Sequence, residues 1–201
     1  EDQMYRNKIS HKSSYHHRSI EMILETLYSK APVEREHSPS VSILSELIGA
    51  EMHLDKSEIS ELRTAGAIHD IGKIAVSNAV LEKKGKLSSS DWIELKKHPE
   101  VGYNILSAVN EYSNLAQIVL AHHEWYDGNG YPKGLKGDEI PLQSRIIAVA
   151  EAYDSMVSGM MFSAPKTLQQ AVEELQNNAG TQFDPAVVSV FVDKVLAEKS
   201  I

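Results

Sequence analysis

The chain has 201 residues, 42% of them hydrophobic and 24% charged, which supplies a full core and lies far from the composition of a disordered chain. Cysteine is absent, so disulfide frameworks, thiolate zinc sites and cysteine nucleophiles are excluded. With 20 Lys and Arg against 28 Asp and Glu the net charge is −8, the wrong sign for duplex nucleic acid. No apolar run approaches the roughly 18 residues of a membrane span, and the expected location is the cytoplasm.

Residues 1–18 form a polar, basic head, with Arg6, Lys8, Lys12, Arg18, His11, His16 and His17. Ile20, Ile23, Leu24 and Leu27 then recur at helical spacing and predict a connector helix from Ser19 to Lys30. Pro32, suited to a first turn, opens a helix that runs to about Met52 with Val41, Leu44, Leu47 and Ile48 on one face. Asp55-Lys-Ser-Glu58 reads as a capping box ahead of Ile59, Leu62, Ala65 and Ile68, and this helix carries His69 and Asp70 near its end. Ser88 to Asp91 opens a short helix, and Pro99 opens one holding Val101, Ile105, Leu106 and Val109. A further helix runs from about Ser113 to His123 and leads into a turn-rich loop, Asp127-Gly-Asn-Gly-Tyr-Pro-Lys-Gly134. Helices resume at Pro141, at Thr167 (a second capping box, with Gln170) and at Asp184-Pro185, and Gly180 stops the one before last. No period-2 alternation is sustained, so the expected fold is all-α, a bundle of about eight to ten helices. The expected organisation is a tail over 1–18, a connector helix over 19–31 and one domain over 32–201.

Of the nine histidines, five, His37, His69, His98, His122 and His123, stand with carboxylates nearby and point to a metal site. Neighbours on a helix point roughly 100° apart, so His69 and Asp70 serve one centre only at a helix end or across two metals. The tandem His122-His123 repeats that arrangement, and His37 and His98 sit at or near helix starts. With a carboxylate from Glu151 or Asp154 the donors are nitrogen and oxygen without sulfur, in a number suited to two metals such as Fe or Mn. His11, His16, His17 and His53 read as solvated or packing residues.

These residues stand in an ordered set of motifs over about Glu34 to Val195. They are His69-Asp-Ile-Gly-Lys73, the stretch Leu81-Glu-Lys-Lys-Gly-Lys-Leu87, His98 with Pro-Glu-Val-Gly102, and the loop His122-His-Glu-Trp-Tyr-Asp-Gly-Asn-Gly-Tyr-Pro132. Arg145-Ile-Ile-Ala-Val-Ala-Glu-Ala-Tyr-Asp154 and Phe183-Asp-Pro185 complete the set. Together they resemble the HD-GYP domain, the branch of the HD phosphohydrolase superfamily associated with bacterial cyclic di-GMP. The resemblance implies hydrolysis of cyclic di-GMP to the linear dinucleotide and onward to GMP. It implies metal ligation by His37, His69, Asp70, His98, His122 and His123, with Asp70 bridging and Glu151 as the late ligand. Two such cations acidify a shared water. Lys73, one helical turn past His69-Asp70, is implied to neutralise a phosphate oxygen as charge builds. Gly128 and Gly130 are implied to let the loop turn and approach a ligand, Tyr131 to face the substrate, and Asp127 to hold the loop or the ligands.

Several positions depart from that pattern. Glu151 stands where an Asp is usual, which weakens the second metal. Relatives with a third metal carry a Glu four residues before the first His; here that position is Val33, and Glu34 lies on a different azimuth, so two metals are expected. Met160-Met-Phe-Ser163 replaces an Arg-Pro-Tyr-Arg segment, leaving Lys166 as the nearby point charge, and Ser40 replaces an Arg. Two functions therefore stand open: an active phosphodiesterase, or a degenerate module that binds metal and nucleotide and works as a signalling relay. The head Glu1-Asp-Gln-Met-Tyr-Arg-Asn-Lys8 resembles the closing segment of GGDEF domains. That implies an upstream sensor domain, with the connector stripe pairing with a second copy as a coiled coil. Any membrane attachment would come from upstream segments. Losing one charge-assisted phosphate contact costs about 1.5–3 kcal/mol, so Met160→Arg is expected to lower the Michaelis constant for cyclic di-GMP about ten- to a hundred-fold in steady-state assays.

Overall fold

The computed structural model describes residues 18–159 and 164–197. The basic head with its GGDEF-like segment, and the departure at 160–163, lie outside the described residues.

The first helix, α1, covers residues 18–30. It is followed by α2 (Glu34–Glu51), α3 (Lys56–Ile68), a 3-10 turn (Ile71–Ala75), α4 (Asn78–Leu81), α5 (Ser89–Leu95) and α6 (His98–Ser107). Then come α7 (Ser113–Ala121), α8 (Leu142–Ser158), α9 (Leu168–Asn177) and α10 (Pro185–Val190), which continues as a wider, π-type turn to Leu196. Among the described residues no strand forms, and a single bridge joins Ala179 to Phe183. The all-α expectation holds.

Local chemistry sets the boundaries. Asp55 accepts from the amides of Ser57 and Glu58 at 2.8 and 2.9 Å, while Glu58 reaches back to the Asp55 amide at 2.9 Å. Thr167 and Gln170 form the same reciprocal cap on α9, and so do Ser88 and Asp91 on α5. Each such cap is worth about 1 kcal/mol. Two starts differ from the expectation. Pro32 lies in a turn, its carbonyl taken by the Arg35 amide, so α2 begins two residues later, at Glu34. Pro99 sits inside the first turn of α6, which makes His98 the first helical residue.

Helix α2 runs through the middle of the bundle, packed on α3 and α8, and α6 packs on α7 and on the 3-10 turn. Val41, Ile48, Leu62, Leu106, Ile146 and Phe191 are fully buried between these helices. A smaller apolar cluster of Val76, Val80 and Leu95, flanked by Leu81 and Leu87, anchors the Leu81–Leu87 motif beneath the 3-10 turn.

The connector helix is part of the domain. Leu27 is fully buried, Ile20 joins the main core, and Ile23 and Leu24 pack against it. The stripe expected to face a second copy thus faces the chain's own body, while Met22 on the other side is 71% exposed. Arg35 of α2 pairs with Glu25 at 2.8 Å and lies over the Tyr28 ring. Leu27→Ala should lower stability by about 2–5 kcal/mol in denaturant titration, as for any buried leucine. A midpoint equal to that of the unmodified chain would mean that α1 is detached.

Candidate metal centre

The donors come from helix ends. His37 lies in the first turn of α2, His69 caps α3, Asp70 begins the 3-10 turn, His98 opens α6, and His122 caps α7 with His123 next. Glu151 projects from mid-helix on α8. Carbonyls in the last turn of a helix lack partners within it. Three histidines take such carbonyls, each three residues back: Nδ1 of His69 donates to Gly66 at 2.8 Å, that of His98 to Leu95 at 2.8 Å, and that of His122 to Val119 at 2.5 Å. A carbonyl only accepts, so Nδ1 holds the proton and Nε2 presents its lone pair inward. A carboxylate fixes His37 in the same way. Its Nδ1 lies 2.6 Å from Oδ2 of Asp154, and Asp154 Oδ1 accepts from the Ser40 hydroxyl.

The inward atoms form two groups, His37, His69, Asp70 and Glu151 in one and His98, His122 and His123 in the other, with the donor atoms of each group within 4.8 Å of one another. Asp70 joins them. Its Oδ2 lies 3.1 Å from His69 Nε2 and 4.0 Å from His37 Nε2, and its Oδ1 lies 3.2 Å from His98 Nε2. Nε2 of His98 and Nε2 of His122 face each other at 3.2 Å. Gly72 makes the convergence possible, because a Cβ there would stand 1.9 Å from the His98 carbonyl oxygen and push α6 away from the 3-10 turn.

This arrangement fits divalent cations. Two imidazole lone pairs 3.2 Å apart repel unless a positive charge lies between them. Asp70 Oδ1 is buried without a hydrogen bond, which costs about 1–3 kcal/mol when nothing compensates. Nitrogen and oxygen donors without sulfur suit Fe, Mn or similar ions.

The electrostatics lean the same way. Burial pushes His98 and His122 down to about 4, so both stay neutral donors in mild acid. Burial also lowers His123, helped by the adjacent His122. Burial works against charge on His69 as well, but Asp70 beside it prevails and raises it to about 9. Asp70 is held below the usual carboxylate range; burial opposes this, and the Lys73 and His69 charges outweigh it. Lys73 is buried and still raised, because Asp70 and Glu34 outweigh its desolvation. Its ammonium pairs with Asp70 Oδ2 at 2.7 Å and with Glu34 Oε1 at 2.9 Å.

Glu34 corrects the sequence reading. It was expected on another azimuth, yet three residues before His37 is still the same helix face, and its side chain is 1% exposed against Lys73. Asp154 and Ser40 also emerge as the support of His37, so of the two candidate carboxylates Glu151 is the one grouped with the donors. Glu124 is a further addition: buried, it accepts from the amides of Lys133 and Leu135 and ties the loop down. Gly130 packs directly on the backbone of Glu124 and Trp125, where a Cβ would meet the Trp125 nitrogen at 2.1 Å, and Gly128 turns the chain at φ +91°. Tyr131 stacks on His123 with ring centroids 4.9 Å apart, and the Lys96 ammonium lies 4.9 Å from its ring. Asp127 holds Asn129 within the loop. Lys166 is engaged by Glu174 of α9 at 2.9 Å. Glu124 stands inside the His122–Pro132 motif and Ser40 at a departure from the family pattern, but no local signal names the partner of either, or of Glu34.

In the metal-free chain the raised His69 holds a proton in the place a cation would take. Because its folded value lies above the ordinary 6.5, that proton stabilises the metal-free fold fully below about pH 6.5, and the contribution is lost as pH rises through about 9. Titrating Mn²⁺ into chelator-treated protein at about pH 7.5 should therefore release about one proton per chain, read from the buffer dependence of the calorimetric heat. Release of none would show that His69 is not displaced.

The pattern of the HD domain family matches residues 20–187. Over 158 residues the chain is 39% identical to a cyclic di-GMP phosphodiesterase of Thermotoga maritima, covering 78% of this chain and 43% of that protein. It is 36% identical to 3′3′-cGAMP-specific phosphodiesterase 3 of Vibrio cholerae, covering 78% of this chain and 34% of the relative. The chain thus spans less than half the length of these relatives. A Bdellovibrio bacteriovorus HD-GYP-type protein of known structure superposes with a TM-score of 0.67 at 18% identity, over 92% of this chain and 62% of the other. The chain belongs to the HD domain family.

Proposed function

We propose that this chain is the hydrolytic module of a larger bacterial signalling protein and cleaves cyclic di-GMP to the linear dinucleotide, and onward to GMP, with two Fe or Mn ions. One observation carries the reading: the buried Asp70 offers one oxygen to each histidine group, and the Lys73 ammonium lies beside it. The relatives named as cyclic dinucleotide phosphodiesterases support the same substrate class.

The ligands in this reading are His37, His69, Asp70, His98, His122, His123 and Glu151. Cations held there supply an acidified water and Lewis acidity toward phosphoryl oxygen. The protein's own groups do the rest. Asp70 and Glu151 set the negative charge that retains the cations. Lys73 holds a fixed, buried positive charge that strengthens its interaction with a phosphate as negative charge develops. Gly130 and Tyr131 form the wall on which the dinucleotide lies, with Tyr131 fixed by His123 and Lys96. Lys166 has a secondary place, because an anion must compete with Glu174 for it.

The test is hydrolysis of cyclic di-GMP by the Mn- or Fe-loaded chain, followed by chromatography of the products. Asp70→Asn should lose both metal and turnover. Lys73→Ala should keep its metal and lose about 10²–10³-fold in kcat, as when an oriented charge-stabilising donor is removed. If the fully metallated chain neither hydrolyses nor binds cyclic di-GMP, the relay reading replaces this one.

A further inference from the structure

Lys73 does not hold itself in place. It sits in a 3-10 turn of five residues, closed by its own amide on Asp70 and by the Val76 amide on its carbonyl. Such a short turn has little stability of its own. The turn packs on α6, and two polar contacts reach it from one further stretch of chain. The Lys30 ammonium, on the last residue of α1, donates to the carbonyl of Ile74 at 2.9 Å across 44 positions. Four residues later Glu34 pairs with the Lys73 ammonium at 2.9 Å.

The stretch between Lys30 and Glu34 is a tight corner. The Ala31 amide donates to Leu27 at 2.7 Å, the Glu34 amide donates to Ala31 at 3.0 Å, and Ala31 is buried. The Arg35–Glu25 pair and the Arg35–Tyr28 contact brace α1 against α2 across this corner. A shift of α1 against the body would therefore reach both the Ile74 carbonyl, next in the chain to Lys73, and the Lys73 ammonium. Asp70 gives a weaker hold than its distance suggests, because its oxygens also face the two histidine groups, and cations there compete with Lys73 for the same charge. Glu34 is the anion that remains.

We propose that the α1–α2 junction is a positioning device for Lys73, with Lys30 fixing the turn that carries it and Glu34 fixing its ammonium, so that the seating of α1 sets turnover. This rests on the phosphodiesterase reading, in which Lys73 faces the reacting phosphate.

The test compares Lys30→Met, which keeps the aliphatic stem and loses the donor, with Lys30→Arg, which keeps a donor. In the full Mn-loaded chain, Lys30→Met should lower kcat about three- to ten-fold, as expected for one hydrogen bond, with KM and metal content unchanged. Lys30→Arg should restore most of the loss, and in a Lys73→Ala background Lys30→Met should add nothing. An unchanged kcat, or the same loss in the Lys73→Ala background, would overturn the proposal. A second readout does not depend on activity: hydrogen exchange of residues 71–76 should quicken several-fold in Lys30→Met at constant metal content. Unchanged exchange overturns the clamp even in a chain that hydrolyses nothing, whereas an inactive unmodified chain with quickened exchange in the variant overturns only the phosphodiesterase reading.

Discussion

An imidazole that gives its Nδ1 proton to a main-chain carbonyl has one lone pair left, and its direction is fixed. His69, His98 and His122 all stand in that position, three residues past a carbonyl at the end of a helix. One bond thus satisfies an orphaned helix terminus, sets the tautomer and aims Nε2. Much of the fold serves to bring these three helix ends together. The capping boxes on α3 and α5 fix where two of the helices start, and Gly72 lets the 3-10 turn seat against α6. The rigidity of the donors comes from secondary-structure termini, so little side-chain entropy is left to lose when a cation binds.

Such convergence buries charge, which is tolerable only in balanced sets. Lys73 stands between Asp70 and Glu34 in a nearly water-free space. Either carboxylate alone would leave the lysine poorly compensated once cations draw on Asp70. The Glu34–Lys73 pair also links α2 to the 3-10 turn, across the gap where α6 meets it. The pair is therefore structural as well as electrostatic, and its place beside the junction with α1 joins the first described helix to the chemistry.

The sequence made the donors legible because their signal is local. A dipeptide at a predicted helix end, a tandem histidine before a glycine-rich loop and the two capping boxes at Asp55 and Thr167 are all read within a few residues. His37, His69, Asp70, His98, His122, His123 and Glu151 come together as expected. Partners that act through space were not legible. Glu34 is one azimuthal step from the position weighed for a ligand, and only its pairing with Lys73 shows where that step points. The apolar stripe of α1 carried a helix signal without a partner signal. Period alone does not distinguish a seam for a second copy from a seam for the chain's own body, and Leu27 and Ile20 chose the latter.

The departures from the family pattern sort by the same physics. Ser40, in place of a family arginine, donates to Asp154, which in turn holds His37. A neutral hydroxyl leaves the charge of Asp154 intact, where a guanidinium would neutralise much of it. A more negative carboxylate makes His37 the better donor to a cation. Glu151 keeps a carboxylate among the donors despite its extra methylene. At both departures a carboxylate charge stays beside the histidine donors. The substrate side gains no comparable substitute, since Lys166 is already engaged by Glu174.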